Sequence, residues 1–246
     1  MAEPQIPNTG RILDVWLGGT HHYPADAAAA AAFDQIYGRF PEVFKTLRAF
    51  IGRAVNQVAS TGINKFLVIG SGIPSQKNVH EVIPEARVLY SDFDEENIRM
   101  GKKILKDNCL CDYIYCDAAD PDNLDQIIAH PLLQESGTGP LGVIIVGVSV
   151  FLDDQQLTGL LQGLYQHLIP GSYLCFDFDS MQLTNYPKAM AMLGDGFHPR
   201  TPEQFLSLLG EWQFDAESIK PVQSWGLAQP VTDIPVFMYG GVAARL

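Results

Sequence analysis

The sequence predicts an α/β protein in which a mostly parallel sheet is covered by helices and preceded by an N-terminal helical segment. From residue 65 onward, short apolar runs alternate with stretches of helical periodicity, a pattern typical of βαβ units. The run 143–146 is apolar at every position, which indicates a strand buried on both faces. The first 64 residues lack this alternation and predict helices.

Two helices are predicted in the N-terminal segment. Asp26 is a suitable cap for a helix that runs through the alanines at 27–32, and Gly38 ends it. Pro41 suits the first turn of a second helix, whose apolar residues recur with helical spacing as far as Gly62.

The remaining elements follow in alternation as far as the tail of the chain. Strands are predicted at 66–69, 87–90, 113–115, 141–148 and 173–178, with helices at 78–83, 95–106, 123–129 and 153–168. The tail predicts a helix at 201–209 and then a terminal β-hairpin, whose strands at 218–222 and 236–243 have few residues between them. We therefore expect a helical cap or lid over residues 1–64 and a Rossmann-like α/β domain over residues 65–246.

The composition excludes several classes of protein. Of the 246 residues, 47 % are hydrophobic and 18 % are charged, which predicts a folded chain with a substantial core. The net charge of −12 disfavours binding to nucleic acid and to anionic membranes. The most apolar run, 141–152, is shorter than the roughly 20 residues that a membrane-spanning helix needs. We expect a cytoplasmic protein with neither a nucleic-acid nor a membrane partner.

The cysteines predict neither disulfides nor a metal site. Three of the four, Cys109, Cys111 and Cys116, lie in one short segment, which is not the framework of a disulfide-rich protein. This segment lacks a Cys-x-x-Cys pair and a neighbouring histidine, so its spacing does not fit zinc. We expect reduced thiols and no bound metal.

A glycine turn and two acids predict a nucleoside site. The first predicted strand leads into Gly70, Ser71 and Gly72, where a ligand can approach the backbone closely and free N–H groups can bind its polar atoms. Asp92 lies 22 residues after Gly70, at the end of the second strand, where an acid can bind ribose hydroxyls. Asp117 follows the third strand and can accept a hydrogen bond from an exocyclic amine. Because ligands of open α/β sheets bind at this edge, we expect the three features to act together.

The turn favours a nucleoside without phosphates. A dinucleotide fingerprint would place a third glycine where Ser75 stands, and the sequence has no Gly-x-x-x-x-Gly-Lys phosphate loop. S-adenosylmethionine matches what the residues offer, with donors for its amino-acid end, an acid for ribose and an acid for adenine. A nicotinamide-dependent enzyme is the less favoured reading of the same turn.

Several segments together resemble the actinobacterial S-adenosylmethionine-dependent methyltransferase family. The resembling segments are 12–20, 23–26, 48–55, 66–72, 78–82, 90–94, 116–121, 168–173, 200–203 and 240–242. The Leu-Gly-Gly motif at 17–19 and the Asn-Val-His-Glu motif at 78–81 are the distinctive ones. The similarity covers nearly the whole chain.

This resemblance implies a seven-stranded sheet with an antiparallel last strand, and a helical lid over S-adenosylmethionine. The cofactor contacts that it implies are Gly70, Ser71, Gly72, Asp92 and Asp117. Further candidate contacts are Asn78, Phe93, Ala118 and Gly147. Arg48 is the expected partner for the cofactor carboxylate, with Arg53 on the same helix as the alternative. The sequence departs from the family in three places. Val68 stands where an aspartate is usual, Val150 where a histidine is usual, and Asp177 where a hydroxyl or small polar group is usual.

The candidate catalytic residues are His22, Tyr23 and Asp177. His22 and Tyr23 follow the Leu-Gly-Gly motif in the predicted lid, where an imidazole can act as a base or bind substrate, although a solvated loop histidine is the simpler alternative. Asp177 shares one face of the fifth strand with Asp179, at an edge that can hold an amine or supply a base. Methyl transfer also proceeds largely by positioning, so a base is needed only if the acceptor must lose a proton.

These observations predict an S-adenosylmethionine-dependent methyltransferase that methylates oxygen or nitrogen of a small molecule, such as a natural product. Two alternatives stay open. One is an enzyme that uses the sulfonium for intramolecular cyclisation or elimination and releases methylthioadenosine, which the valine at position 68 motivates. The other is a protein that binds S-adenosylmethionine without turnover. The expected partner is the small-molecule acceptor, and the sequence leaves a homodimer open.

Overall fold

In the computed structural model, which describes residues 5–74, 76–120, 123–135 and 137–246, a single sheet organises the molecule. Its seven strands are Lys65–Ile69 (β1), Arg87–Asp92 (β2), Cys111–Tyr115 (β3), Gly142–Ile145 (β4), Tyr173–Asp179 (β5), Lys220–Pro221 (β6) and Met238–Ala244 (β7). The spatial order is β3-β2-β1-β4-β5-β7-β6. Strand β7 is antiparallel to both of its neighbours, and the other pairs are parallel. The predicted α/β class and the seven-stranded, mostly parallel sheet are confirmed.

Helices cover both faces of this sheet. They are Thr9–Trp16 (α1), Pro24–Asp34 (α2), Phe40–Ala59 (α3), Val79–Val82 (α4), Glu95–Leu105 (α5), Leu124–Ile128 (α6), Pro131–Gln134 (α7), Asp154–His167 (α8), Pro187–Leu193 (α9) and Pro202–Leu208 (α10). Helices α3, α4 and α5 contribute to the core on one face, and α6, α7, α8 and α10 to the core on the other. Since side chains alternate along a strand, Phe66 and Val68 of β1 enter the first core, and Leu67 and Ile69 enter the second.

The N-terminal helices form a smaller third core. The Trp16 ring stacks on Phe44 and Phe40, with centroid distances of 4.7 and 5.3 Å, and Ala189 of α9 closes the cluster. Helix α1, which the sequence did not predict, is only eight residues long, and its burial depends on these long-range ring contacts. No local apolar pattern of that length distinguishes a helix from a loop.

Asp26 has a different role from the predicted helix cap. Helix α2 begins at Pro24 with Tyr23 as its N-cap, and the Asp26 carboxylate reaches back to accept a hydrogen bond from the Tyr23 backbone N–H at 2.8 Å. The same carboxylate accepts hydrogen bonds from the Asn8 backbone N–H and from Arg11 Nε, both at 2.9 Å. One fully buried acid thus ties α1 to α2.

The tail pairs as predicted but is connected differently. Lys220 and Pro221 pair antiparallel with Gly240 and Tyr239, so the terminal hairpin pairing is confirmed. The expectation of a short connection is wrong, because sixteen residues, 222–237, separate the two strands. Strand β4 is also shorter than predicted and ends at Ile145, since Gly147 turns the chain with a φ of 74°. That turn positions the following residues at the edge of the cavity described next.

Candidate functional site

A cavity of about 590 Å³ lies at the carboxyl ends of the parallel strands, beneath the N-terminal helices. This volume is within the range of roughly 300–1,000 Å³ that is typical of pockets for drug-sized ligands. All ten residues expected to contact the cofactor line it, namely Arg48, Gly70, Ser71, Gly72, Asn78, Asp92, Phe93, Asp117, Ala118 and Gly147. The structure therefore brings together residues from α3 and from the ends of four strands.

The glycine turn permits close approach of chain segments. Gly70 and Gly72 have φ values of 65° and 59°, a region that side chains rarely adopt. A Cβ on Gly70 would stand 2.3 Å from Val148 Cγ2, and one on Gly72 would stand 3.0 Å from Gly10 Cα. The second contact shows that α1 lies directly over the turn.

Two N–H groups that the sequence predicts to be free for a ligand are already paired. The Ser71 N–H donates to the Ser91 carbonyl at 2.9 Å, and the Gly72 N–H donates to Asp92 Oδ2 at 2.8 Å. The Tyr113 hydroxyl fixes the turn further by donating to the Gly72 carbonyl at 2.7 Å. The turn therefore offers space and a fixed shape, and its polar ligand contacts must come from elsewhere.

Asp92 is the most constrained acid of the site. It is 4 % exposed, and its Oδ1 accepts a hydrogen bond from the Asp94 backbone N–H at 3.0 Å in addition to the Gly72 bond on Oδ2. Burial raises the pKa of the Asp92 carboxyl, and the hydrogen bonds from Asp94 and Gly72 oppose that shift. Asn97 Nδ2 also donates to Oδ1 at 3.4 Å, so three of the carboxylate's roughly four acceptor positions are used and one remains for a ligand hydroxyl.

The end of the neighbouring strand β3 is followed by a second acid, and the end of β2 is followed by an exposed aromatic ring. Asp117 Oδ1 accepts a hydrogen bond from the Ala119 N–H at 2.9 Å, and its other oxygen makes no hydrogen bond within the described residues. Phe93, directly after Asp92, is 62 % exposed, which is unusual for a large apolar side chain and suits a flat ligand ring.

Two donors on the α3–α4 side of the cavity lack partners. The Arg48 guanidinium is 8 % exposed and donates no hydrogen bond to any residue that the structure describes. Burial lowers its pKa. Asn78 Oδ1 accepts from the Val79 N–H at 3.1 Å, whereas its buried Nδ2 has no partner within the described part of the chain. Buried polar groups are normally paired, so these two donors fit a ligand that carries a carboxylate.

The three predicted catalytic residues are not among those that line the cavity. His22 Nδ1 lies 3.0 Å from Asp14 Oδ2 of α1, and the Tyr23 hydroxyl donates to Glu96 of α5. Both side chains therefore connect the segment between α1 and α2 to a neighbouring helix. Asp177 is fully buried, with its Oδ1 accepting from the Gly147 N–H at 2.7 Å. Asp179, two residues further along the same face, lines the cavity instead.

Most residues of the cavity's apolar wall were not predicted from the sequence. Phe197 lines the cavity, whereas Tyr186, Trp212 and Trp225 are not among its lining residues. The main rings come from the N-terminal helices, and they are Trp16, Phe33, Phe40 and Phe44. A signal existed in the helical spacing of Phe40 and Phe44, but that spacing equally predicts a packed core.

We expect Asp177→Asn to flatten the pH dependence of stability. Burial raises the pKa of Asp177 to about 7, so the folded state holds a proton that the unfolded chain releases near pH 4. This stabilisation is complete below pH 4 and is lost as the pH rises through about 7. The free energy of unfolding of the wild type in urea should fall by on the order of a few kcal/mol over this interval. That of the variant should fall less, with the remainder due to the raised pKa of Asp179.

Asp107→Asn is the matched control for this measurement. It removes the same charge from an exposed side chain in the loop between α5 and β3, at the opposite edge of the sheet. Its stability should follow the wild-type pH profile. Equal slopes for wild type and Asp177→Asn would show that residue 177 does not hold the proton.

No helix in the described part of the chain is both long enough and apolar enough to cross a membrane.

Comparison with known proteins identifies the family of this chain. A family model described as S-adenosyl methyltransferase matches residues 2–246. A DUF574 family protein of Streptomyces avermitilis is 26 % identical, with 98 % of each chain covered and a TM-score of 0.83. A Thermobifida fusca protein proposed to be a methyltransferase is 24 % identical, with 98 % of this chain and 96 % of that chain covered and a TM-score of 0.86.

More distant similarity extends to a structure with bound S-adenosylmethionine. Human N-acetylserotonin methyltransferase is 15 % identical, with 94 % of this chain and 62 % of that chain covered and a TM-score of 0.51, which shows a shared fold. No curated protein matches this sequence. Because the family model spans almost the entire chain, the protein belongs to the S-adenosyl methyltransferase family and is an S-adenosylmethionine-dependent methyltransferase.

Proposed function

We propose that this enzyme methylates a nitrogen or oxygen atom of a small molecule. When bound, S-adenosylmethionine supplies a methyl group attached to a positively charged sulfur. A nucleophile attacks this methyl group, and the sulfur is the leaving group. The observation that carries the proposal is the single cavity in which the polar residues at the strand ends continue into an apolar region beneath the N-terminal helices. One ligand-sized space thus offers surfaces for both a cofactor and an acceptor.

The described contacts suggest how the chain holds the cofactor. Asp92 has one unused acceptor position, on Oδ2, for a ribose hydroxyl, and the second oxygen of Asp117, which makes no hydrogen bond within the described residues, suits the adenine amine. Exposed Phe93 offers a flat apolar surface for the adenine ring. Arg48 and Asn78 supply unpartnered donors for the methionine carboxylate. Each group of the cofactor then meets a side chain of matching chemistry.

The lid supports a small acceptor. Asn8, at the start of α1, donates through Nδ2 to Asp94 Oδ2 at 3.0 Å, so α1 is fastened to the N-terminus of α5 across the cavity edge. Gly10 packs against the backbone of Gly72. An acceptor must therefore fit beneath these helices, which suits a small molecule better than a nucleic acid or a protein surface. The net charge of −12 points in the same direction.

Val68 affects how the cofactor's amino group is held. It lines the cavity and is 6 % exposed, so this wall offers an apolar side chain where a carboxylate would bind an ammonium. A weakly held amino-acid end is compatible with methyl transfer and also with attack within the aminobutyryl chain. The two reactions leave different products, S-adenosylhomocysteine and methylthioadenosine.

The first test is calorimetric titration of the full chain with S-adenosylmethionine, S-adenosylhomocysteine and NADH. Micromolar binding of both adenosyl ligands without NADH binding is the expected result. Mass spectrometry of an overnight incubation with S-adenosylmethionine then separates the reactions, because enzyme-dependent methylthioadenosine would replace the methyltransferase proposal with self-reaction of the cofactor. Failure to bind either adenosyl ligand would remove the basis of the proposed function.

A further inference from the structure

We propose that the acceptor is a planar, mostly apolar molecule whose N–H or O–H group hydrogen-bonds to Asp179. This inference rests on the proposed function and specifies the substrate class of the same cavity. It is carried by two features, the aromatic wall contributed by the N-terminal helices and the single acid that stands beside the apolar region.

The apolar region of the cavity has the character of a site for a flat ring. Trp16 and Phe44 stack with a centroid distance of 4.7 Å and an interplanar angle of 8°, and Phe40 stacks at 5.3 Å from Trp16 and 6.3 Å from Phe44. The Trp16 indole N–H is already used, since it donates to Asp34 Oδ1 at 3.1 Å. These rings therefore offer apolar faces rather than hydrogen bonds, and aromatic faces favour planar partners.

Residues from the segments after β5 extend the same apolar wall, and Phe237 stacks on Phe40 with a centroid distance of 6.1 Å. Leu183 and Leu193, from the segment after β5, line the cavity together with Phe197, Phe237 and Met238. None of these side chains carries a charge or a strong hydrogen-bonding group. A sugar, a nucleotide or a polyanion would lose its hydration here without gaining polar contacts, which costs affinity.

The charged residues of the cavity identify Asp179 as the group left for the acceptor. Among the described residues, the cavity is lined by four charged side chains, Arg48, Asp92, Asp117 and Asp179. The first three match the carboxylate, ribose and adenine of the cofactor. Asp179 lies at the end of β5, and no described residue donates a hydrogen bond to its carboxyl group.

The surroundings of Asp179 suit it to accept a proton. Burial and the neighbouring Asp177 carboxyl raise its pKa well above the ordinary value of an aspartate. Once ionised, a carboxylate with a raised pKa binds a proton more strongly than an exposed one, as a base must. A positively charged group that enters the cavity favours its ionised form.

The transfer step balances with these residues. A lone pair on the acceptor nitrogen or oxygen forms a bond to the methyl carbon while the carbon–sulfur bond breaks and its electron pair returns to sulfur. The proton that the acceptor releases passes to the Asp179 carboxylate. The products are the methylated acceptor and S-adenosylhomocysteine, and no further oxidant or reductant is required.

The test uses two naphthalene probes that share a ring and differ in their polar group. We expect the preference of the full chain, saturated with S-adenosylhomocysteine, for 2-naphthylamine over 2-naphthoate to grow in calorimetry as the pH rises and Asp179 ionises, and to reach at least about tenfold once it is ionised. Asp179→Asn should reduce this preference to within about threefold, because the repulsion of naphthoate and the charged acceptor for the amine are both removed. Asp107→Asn should keep the wild-type preference.

A second variant tests the aromatic wall independently. Trp16→Leu keeps an apolar side chain but removes the indole face, so both probes should bind more weakly by a similar factor while their ratio is unchanged. With S-adenosylmethionine in place of the product, mass spectrometry should detect methylated 2-naphthylamine from the wild type and much less from Asp179→Asn. Thermal melting establishes that each variant is folded at the assay temperature.

The outcomes distinguish this inference from the function on which it rests. If S-adenosylhomocysteine does not bind the wild type, the proposed function fails. If it binds but neither probe does, or if both probes bind equally, the planar apolar acceptor with an Asp179 contact is wrong and the cofactor assignment stands. A preference for 2-naphthylamine that survives in Asp179→Asn would reject Asp179 as the contact.

Discussion

Asp92→Ala is expected to weaken S-adenosylmethionine binding by about 100-fold or more. A hydrogen bond to a charged acceptor is worth roughly 1.5–3 kcal/mol, and the ribose hydroxyl on the remaining acceptor position of Asp92 loses its bond. The substitution also releases the Gly72 and Asp94 N–H groups that the carboxylate holds at 2.8 and 3.0 Å. The glycine turn then loses part of its fixed shape, which adds to the loss of affinity.

Calorimetric titration of folded protein, well below its melting temperature, measures this effect. Asp92→Asn separates the two causes, because an amide retains one acceptor oxygen and replaces the other with a donor. We expect its affinity to fall between those of the wild type and Asp92→Ala. Asp107→Asn, exposed at the opposite edge of the sheet, should bind like the wild type. An Asp92→Ala variant that binds within about threefold of the wild type would place the ribose elsewhere.

Arg48→Met is expected to change stability and affinity in opposite directions. The Arg48 guanidinium is nearly buried, lowered in pKa by that burial, and without a hydrogen bond to the described part of the chain. Desolvation outweighs the attraction of Glu81 and Asp14 for this buried charge. Replacing it with an apolar side chain of similar length removes that penalty, so the ligand-free protein should melt at a higher temperature. S-adenosylmethionine should bind about 10- to 100-fold more weakly, because its carboxylate loses a charged partner.

Arg53→Met is the matched control on the same helix. Arg53 donates to the backbone carbonyls of Trp225 and Val222, and it does not line the cavity. Its replacement should therefore lower the melting temperature and leave the affinity for S-adenosylmethionine unchanged. Melting curves compare the stability of the two variants, and calorimetry compares their affinity for S-adenosylmethionine. A destabilised Arg48→Met variant with wild-type affinity would show that Arg48 supports the fold rather than the ligand.

The edge of the sheet at which the proposed cofactor residues lie could be predicted because it depends on local order. Gly70 and Gly72 directly follow β1, Asp92 ends β2, and Asp117 follows β3, so their position in the chain fixes the edge of the sheet at which they lie. Parallel strands bring their carboxyl ends to one edge whatever the detailed packing. The sequence could not predict which N–H groups of the turn are already paired, because their partners come from the neighbouring strand.

The acceptor half could not be predicted because it depends on packing between distant segments. His22 and Tyr23 follow a distinctive motif, yet Asp14 and Glu96 engage them away from the cavity. Asp177 and Asp179 share a face of β5, and the alternation of a strand cannot tell which of them the Gly147 turn covers. The structure covers Asp177 and leaves Asp179 at the cavity wall.

The sequence by itself determined the sheet, the alternation of its helices and the edge at which a nucleoside binds, because periodicity and strand-end residues are properties of short stretches of chain. Only the tertiary structure decided how α1 lies on the glycine turn, which rings face the cavity and which donors are left without partners. Those features arise where residues far apart in sequence compete for the same space, as Gly10 and Gly72 do at the turn. Their outcome is set by packing and hydrogen-bond satisfaction over the whole molecule.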